Sequence, residues 1–289
     1  MSGIRIVLII SLYFYALHSY ADNDPRDYYP MPAGTTAITI YNQNFEGNNL
    51  YSQGKKIDSN YDFSSTYWIA KGTSYWETES MPMAAQLAIV SADLNLGWPA
   101  GGIDKRRGQK LGDPVFLIVA WPYVNENKSF WVGTSGWLTI PLGNYDNEEL
   151  LNVGSNRWTY KHELNITYVI QPGLHAEITG AVEFYSDNKD YTSNGLTLKQ
   201  DHKFILEGHL SNDITKRFQV SLDYYHHHGG EQEINDISQN NEARTHSIQF
   251  SAGYALAKDL YIRALFRKDF EVENGLEAQS IGLRLIKFL

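Results

Sequence analysis

Three adjacent histidines in the stretch DYYHHHGGEQEIND (residues 223–236) raise the possibility of a metal site. Imidazole nitrogens and carboxylate oxygens are ligands that Zn²⁺ and Cu²⁺ bind in proteins. In a β-strand, alternate side chains point to opposite faces, so His226 and His228 share one face and His227 takes the other. His226 and His228 are therefore a two-residue candidate that would need Glu231 or Glu233 as further ligands. The alternative is an aromatic and imidazole girdle, and no cofactor is predicted.

Three arginines near the end of the chain form a second candidate group. Period-two alternation places Arg263, Arg267 and Arg284 on the polar faces of the last two predicted strands. The ENG sequence at 273–275 predicts a tight type I′ hairpin, which would set Arg263 and Arg284 opposite each other or one diagonal step apart. Guanidinium groups this close need counter-charges or water.

Acidic residues occupy the polar faces of earlier predicted strands and are expected on the opposite wall of the same interior. They are Glu163, Glu177, Glu183, Glu207 and Asp223. A positive wall facing a negative wall would impose a transverse field that orients polar groups of a passing solute. The alternative is a salt-bridge network that closes a narrow interior. The sequence leaves both interpretations open, and these eight residues are the predicted lumen and solute-binding set.

The segments that carry these residues alternate apolar and polar side chains, which is typical of β-strands with one apolar face. In residues 217–226 (RFQVSLDYYH), Phe218 and Leu222 fall on one face and Ser221 and Asp223 on the other. The predicted strands are 35–43, 59–71, 80–92, 113–122, 129–140, 157–170, 174–186, 199–211, 217–228, 243–256, 260–270 and 277–288. Long and short connections alternate between them, apart from the ENG turn.

Residue types on the two faces favour a membrane barrel over a soluble β-sandwich. A sandwich would present Lys and Glu to water, whereas the polar faces here carry Ser, Thr, Asn, Gln and Gly with single charges. The apolar faces carry Tyr, Trp or Phe near strand ends, as aromatic girdles do. The sequence therefore predicts an all-β, antiparallel transmembrane barrel of about twelve strands in a bacterial outer membrane. A net charge of −9 provides no basic surface for nucleic acid, and the absence of cysteine excludes disulfides and thiolate zinc sites.

The N-terminal sequence predicts secretion. Arg5 precedes a short apolar run at 6–17, and small residues lead to a cleavage site after Ala21, so residues 1–21 are expected to be a signal peptide. Residues 22–33 (DNDPRDYYPMPA) then form either a periplasmic tail or a short plug, and the tail is favoured. Residues 34–289 are assigned to the barrel.

Several short motifs recur in the same order in a known bacterial family. They are RDYYPMPAGT (26–35), QGKK (53–56), LGDP (111–114), TIPLGNYD (139–146), NVGSNRW (152–158), FYSDNKDY (184–191), LKQD (198–201), GGE (229–231) and VENG (272–275). Over nearly the whole chain after the signal peptide, the sequence resembles the MetA-pathway of phenol degradation family. The resemblance implies an outer-membrane β-barrel transporter for small aromatic or apolar compounds. Bacterial barrels usually end in Phe, a feature linked to the barrel assembly machinery, but here Phe288 is penultimate and Leu289 is last.

The predicted function is an outer-membrane channel or transporter for small solutes, with aromatic compounds among the candidates. The expected partners are outer-membrane lipid, lipopolysaccharide, a small-molecule solute and the assembly machinery, without nucleic acid. The basic cluster Lys105, Arg106, Arg107 and Lys110 could bind lipopolysaccharide phosphates or an anionic solute. One alternative is a structural barrel with a closed lumen. The other is a barrel esterase or phospholipase, which needs a Ser beside a His; His162 and His246 fall on the apolar face and no nucleophile elbow is present, so a non-enzyme is predicted.

Overall fold

The computed structural model of the protein describes residues 22–99 and 102–289, so the expected signal peptide lies outside the described residues. The strands are β1 (Thr36–Ser52), β2 (Lys55–Asp58), β3 (Asp62–Glu77), β4 (Pro82–Trp98), β5 (Ile103–Leu111), β6 (Val115–Val124), β7 (Phe130–Thr139), β8 (Thr159–Gln171), β9 (Leu174–Tyr185), β10 (Leu198–Gln200), β11 (Lys203–Asp213), β12 (Phe218–Gly229), β13 (Gln232–Ile234), β14 (Ile237–Ser238), β15 (Ala243–Ala255), β16 (Leu260–Val272) and β17 (Gly275–Phe288). Among these described residues, no helix has the length and apolar character needed to cross a membrane.

Twelve long strands in the described part of the chain form a closed antiparallel ring. Their order is β1, β3, β4, β6, β7, β8, β9, β11, β12, β15, β16 and β17. The ring closes where β17 pairs with β1, from Ala37 opposite Phe288 to Tyr51 opposite Gly275. Closure leaves no unpaired strand edge, which is the condition for a sheet to cross a membrane. The shorter β2 and β5 extend the wall beside β1 and β4, and β10, β13 and β14 form a separate small sheet.

Side chains alternate between the lumen and an apolar exterior along the strands of the ring. On β8, Glu163 and Asn165 point inward and are buried, whereas Leu164 and Ile166 point outward and are exposed. This differs from a soluble protein, because many large apolar side chains lie exposed on the outer face of the ring. A continuous apolar exterior on a closed ring identifies a membrane-spanning β-barrel.

Connections are of two kinds and, apart from the tight hairpin between β16 and β17, each kind lies at one end of the barrel. Short turns at 78–81, 125–129, 172–173, 214–217 and 256–259 share one end with Thr36 and Phe288, and we call this the turn end. Long connections at 140–158, 186–202 and 230–242 lie at the other, the loop end. In outer-membrane barrels the short turns face the periplasm and the long loops face outside.

The first strands are longer than the sequence indicates. β1, β3 and β4 have 17, 16 and 17 residues, so the segments 44–58 and 93–112, expected to be loops, are partly strand. Backbone pairing of β1 continues through a register shift after Gly47 as far as Tyr51, and Leu50 is buried against the same cluster as Phe45. The Asn- and Gly-rich sequence at this shift interrupts the alternation of apolar and polar residues, so the sequence pattern does not predict a strand there.

The last hairpin is as tight as predicted, but its turn type differs. β16 ends at Val272 and β17 begins at Gly275. The type I′ assignment is wrong, because that turn needs a positive φ at both central residues and only Gly275 of the ENG sequence has one (120°). Neighbouring segments hold the turn instead: the N–H of Gln53 donates to Asn274 Oδ1 at 2.8 Å, and Asn274 Nδ2 donates to Glu242 O at 2.9 Å.

Candidate functional site

The N-terminal segment, residues 22–33, lies inside the barrel over most of its length rather than forming the favoured periplasmic tail, and only Pro32 and Ala33 at its end are exposed. Asn23 and Tyr28 are 4% and 3% exposed. The segment begins beside Arg267 on β16 and reaches the turn end, where the N–H of Gly34 donates to Tyr75 O at 2.8 Å. It therefore crosses much of the lumen before it enters β1, and its charges complement both walls.

A compact turn fixes the middle of the N-terminal segment. The N–H of Asp27 donates to Asp24 O and that of Tyr29 donates to Arg26 O, both at 3.1 Å. Arg26 has a φ of 69°, a left-handed conformation that costs about 1–2 kcal/mol for a residue with a side chain. Its contacts offset this cost, because its N–H donates to Glu177 Oε1 at 2.9 Å and its guanidinium lies 2.9 Å from Asp213 Oδ1.

The three arginines lie together, as the sequence predicts. Arg263 pairs directly opposite Arg284 across β16 and β17, and all three side chains are largely buried. The repulsion between them is relieved by carboxylates of the N-terminal segment. The ion pairs are Arg267–Asp22 at 2.6 Å, Arg284–Asp24 at 3.1 Å and Arg284–Asp27 at 2.6 Å.

The five predicted acidic residues also face the lumen. Glu163, Glu177, Glu183, Glu207 and Asp223 are each at most 6% exposed. The N-terminal segment offers this wall hydrogen-bond donors. The N–H of Asn23 donates to Glu207 Oε1 at 3.1 Å, its side-chain amide donates to Glu163 at 3.2 Å, and Tyr28 Oη donates to Glu163 Oε2 at 2.7 Å.

Lumen cations on the acidic wall were missed in the predicted site set. Lys161 Nζ lies 2.6 Å from Glu163 Oε1, and Lys203 Nζ lies 2.7 Å from Glu183 Oε2. His209 Nδ1 lies 3.1 Å from Asp223 Oδ1, a contact that is an ion pair only when the imidazole is protonated. The strand alternation could have identified Lys161, because residues at i and i+2 share a face and Glu163 is predicted to point inward. Lys161 and Lys203 therefore neutralise the charges of Glu163 and Glu183 locally, which weakens the expected field between the walls.

Arg263 and Lys71 face the lumen without a carboxylate within the 4.0 Å that defines an ion pair, as far as the described residues go. Arg263 donates to the neutral oxygens of Pro25 (2.9 Å) and Gln219 (2.7 Å). Lys71 on β3 places Nζ 4.5 Å from the ring centre of Tyr41. Lys71 was not among the predicted site residues, because its strand carries few other charged residues and so shows no charge pattern.

An aromatic cluster anchors the N-terminal segment at the turn end. Trp121 Nε1 donates to Tyr28 O at 2.9 Å, and Tyr29 meets Trp131 edge to face at 5.4 Å between ring centres. Gly133 on β7 makes room for this packing, since a Cβ there would lie 2.6 Å from Tyr28 Cδ1. The anchor therefore depends on a small residue in the barrel wall.

The N-terminal segment does not fill the lumen. A cavity of about 360 Å³ lies on its turn-end side, and a second of about 70 Å³ lies deeper in the barrel. Both are lined by Asn23, Lys71, Gln86 and Trp137. The space common to both cavities therefore lies along β3, β4 and β7, and the larger cavity also extends to β16 and β17 at the turn end.

Toward the loop end, the lumen is packed with apolar side chains. The buried cluster comprises Phe45, Leu50, Tyr61, Phe63, Tyr67, Ala92, Leu94, Leu96, Leu151 and Leu276. Leu151 belongs to a long connection, so that connection folds onto the cluster. Any passage on this side is narrow and apolar.

Comparison with known proteins places the chain in a family. A family model described as "Putative MetA-pathway of phenol degradation" matches residues 43–285. The chain belongs to this family. No curated protein matches the sequence.

Solved structures share the fold of this member of the phenol-degradation family. The COG4313 outer membrane channel from Pseudomonas putida F1 has a TM-score of 0.88 and 22% identity, covering 93% of this chain and 100% of that one. The transport unit of the autotransporter AIDA-I from Escherichia coli has a TM-score of 0.56 and 10% identity, over 96% and 98% of the two chains. The NanC porin has a TM-score of 0.50 and 8% identity, over 87% and 99%. With its apolar exterior and closed ring, the protein is an outer-membrane β-barrel.

The histidine triplet splits between the faces as the alternation predicts. His226 and His228 point outward with ring centres 6.2 Å apart, and His226 stacks on His246 at 4.2 Å. His227 points inward, 3.2 Å from Asp22 Oδ2. Within the described ranges, no three His, Asp or Glu residues are grouped to hold a metal ion. The outward rings form an imidazole and aromatic girdle at the loop end.

The remaining candidates have ordinary surroundings. Arg106 and Arg107 of the basic cluster lie on β5 and pair with Asp93 (3.3 Å) and Glu149 (3.2 Å). His162 lies on the exterior, 3.4 Å from Thr134 Oγ1. His246 accepts or donates a 2.6 Å hydrogen bond with Tyr224 Oη, so neither histidine is paired with a serine.

Proposed function

We propose that the protein is an outer-membrane channel for small solutes, with aromatic compounds among them. The observation that carries the proposal is the free space beside the N-terminal segment, where two cavities share a lining that includes Lys71, Gln86 and Trp137. A solute that follows this wall passes the segment without displacing it. Aromatic solutes suit the passage because the stacked pair Tyr75 and Trp121 (6.1 Å) lies along it.

Six of the eight predicted lumen residues, all except Glu183 and Asp223, act through the N-terminal segment in this proposal. Their ion pairs and hydrogen bonds hold the segment in place, and its position sets the width of the passage beside it. Selection then follows from width, charge and aromatic lining, as in other channels. No group in this mechanism forms or breaks a covalent bond.

A structural barrel with a closed lumen is the second candidate. The apolar cluster at the loop end favours it, because the side chains of Phe63, Tyr67 and Leu94 are each at most 2% exposed. A closed barrel and a channel differ in whether solutes cross.

The finer partner assignments are also proposals. We infer that the basic cluster on β5 contacts lipopolysaccharide phosphates through its exposed members, since Arg106 is 72% exposed although paired. Recognition by the barrel assembly machinery would use the last strand, which ends at Phe288.

Swelling of proteoliposomes tests the proposed function. Liposomes that hold the refolded protein, placed in iso-osmotic glycine, arabinose or phenylalanine, should swell faster than protein-free liposomes. Gln86→Trp should slow swelling because it fills the passage that both cavities share. The matched control is Leu87→Trp, whose side chain points outward and is 49% exposed in the native protein. Swelling no faster than in protein-free liposomes would refute the channel and favour the closed barrel.

A further inference from the structure

We propose that the turn-end cavity binds solutes that combine an apolar or aromatic body with an anionic group, such as a sulfonate or carboxylate. The proposal deepens the function above and rests on it for transport, but the binding site itself can be tested alone.

The charge of the cavity lining is the first argument. Five cationic residues line it, with one carboxylate, Asp27. The cations are Arg26, Lys71, Lys258, Arg263 and Arg284. The protein as a whole has a net charge of −9, so this concentration of positive charge runs against the composition of the chain. A concave, positively charged surface raises the local concentration of anions.

Compensation of these charges is uneven, which is the second argument. Arg284 is paired with Asp24 and Asp27, and Arg26 with Asp213. Lys258, which is exposed on the turn at 256–259, has no carboxylate within ion-pairing distance among the described residues. The same holds for the two cations that face the lumen, Arg263 and Lys71. Arg263 is only 4% exposed, and its Nε is buried without a hydrogen-bond partner.

A confined charge without a carboxylate in contact is costly, and an anionic group of a solute would supply that contact. Lys71 is the more available of the two cations. It is only partly buried and it lines both cavities. Its ammonium group lies over the Tyr41 ring, and it forms no hydrogen bond with the described residues.

The rest of the lining suits a ring. Tyr75 stacks on Trp121, and Leu117, Val119 and Ala84 complete an apolar surface. The volume of about 360 Å³ exceeds the roughly 150 Å³ of an engineered apolar cavity that binds benzene. An aromatic body can therefore pack on this wall while its charged group reaches Lys71.

Tryptophan fluorescence provides a binding assay, because Trp121 and Trp137 line the cavity. The full barrel in detergent is titrated with benzenesulfonate, benzyl alcohol, phenyltrimethylammonium and methanesulfonate. These probes separate the anionic charge from the ring, and the charged ones keep their charge at every working pH. We expect benzenesulfonate to bind about tenfold more tightly than benzyl alcohol, as one charge-assisted contact would give, and methanesulfonate to bind more weakly than benzenesulfonate.

Lys71→Gln should remove the preference for benzenesulfonate while leaving benzyl alcohol unchanged. Lys268→Gln is the matched control, since Lys268 is exposed on the outer face of β16 and should alter neither affinity. Binding of benzyl alcohol or phenyltrimethylammonium as tight as that of benzenesulfonate would overturn the inference, and so would a Lys71→Gln protein that keeps the preference.

A current measurement separates this inference from the proposed function. Under a gradient of sodium benzenesulfonate across a planar bilayer, the reversal potential should report permeation of the anion. Benzenesulfonate binding without any current would support the cavity and refute transport. A current carried by Na⁺ together with absent binding would refute the cavity and leave the channel.

Discussion

Asp27 offers the sharpest perturbation of the N-terminal segment. Its Oδ1 lies 2.6 Å from Arg284, in a lumen where the two groups are largely removed from water. Asp27→Asn keeps the shape of the side chain and removes the negative charge. Arg284 would keep only its longer contact with Asp24, at 3.1 Å, so the segment should dock less tightly.

The expected effect follows from the bond that is weakened. A hydrogen bond to a charged group contributes about 1.5–3 kcal/mol, and a neutral amide in the same place retains part of it, so the loss is about 2 kcal/mol. Each 1.4 kcal/mol changes an equilibrium tenfold, so the ratio of undocked to docked segment should rise roughly 30-fold.

Single-channel recording in planar bilayers measures this ratio. A barrel that lacks residues 22–33 gives the conductance of the unplugged state, and openings of that size are then counted in the full chain. Asp27→Asn should spend roughly 30 times longer at this level than the native protein. Asp259→Asn is the matched control: its ion pair with Lys287 is exposed at the turn end, where a surface pair contributes about 0–1 kcal/mol.

Two outcomes would refute this reasoning. If Asp27→Asn and Asp259→Asn behave alike while the truncated barrel opens, the Arg284 ion pairs do not hold the segment. If the truncated barrel conducts no better than the full chain, the apolar cluster at the loop end, rather than the N-terminal segment, limits the passage.

Three further substitutions probe the fold and the docking of the segment. Gly133→Ala should displace Tyr28 and raise the conductance, because the new Cβ would lie 2.6 Å from its ring, whereas Gly180→Ala, with open space around it, should leave the conductance unchanged. Leu164→Arg on the lipid face should cost about 2–4 kcal/mol in folding into vesicles, and an unchanged folding equilibrium would argue against a membrane position for Leu164. Trp131→Ala should cost about 3–5 kcal/mol and lower the unfolding temperature of the barrel, since Trp131 is 0% exposed; an unchanged temperature would contradict the packing described for it.

The sequence predicts the ring well, because alternation is a local property. Each strand of the barrel needs only its own residues to show an apolar face, and all twelve were located from that pattern. Length was harder to predict. The stretch around Gly47 is held in β1 by pairing with β17, and its sequence contains no sign of a partner more than 200 residues away.

The lumen could be predicted in part. The tight turn between β16 and β17 fixes the register of these two strands, and this register places Arg263 opposite Arg284. The inward direction of the acidic side chains follows from the alternation along each strand. The docking of residues 22–33 does not follow, because Asn23 contacts Glu163 and Glu207 only after the ring has formed as far as its sixth and eighth strands. The free space at Lys71 cannot be predicted for the same reason, because it exists only once the ring has closed.

Chemical labelling of Gln86→Cys tests the central claim, a passage beside the docked segment, most directly. The protein has no cysteine of its own, so the introduced thiol is the only target, and Gln86 lines both cavities. A methanethiosulfonate reagent that cannot cross lipid, added on the loop-end side of a planar bilayer, should label this thiol and reduce the current. If the thiol reacts with reagent added on the turn-end side but not with reagent added on the loop-end side, the result would contradict a continuous passage.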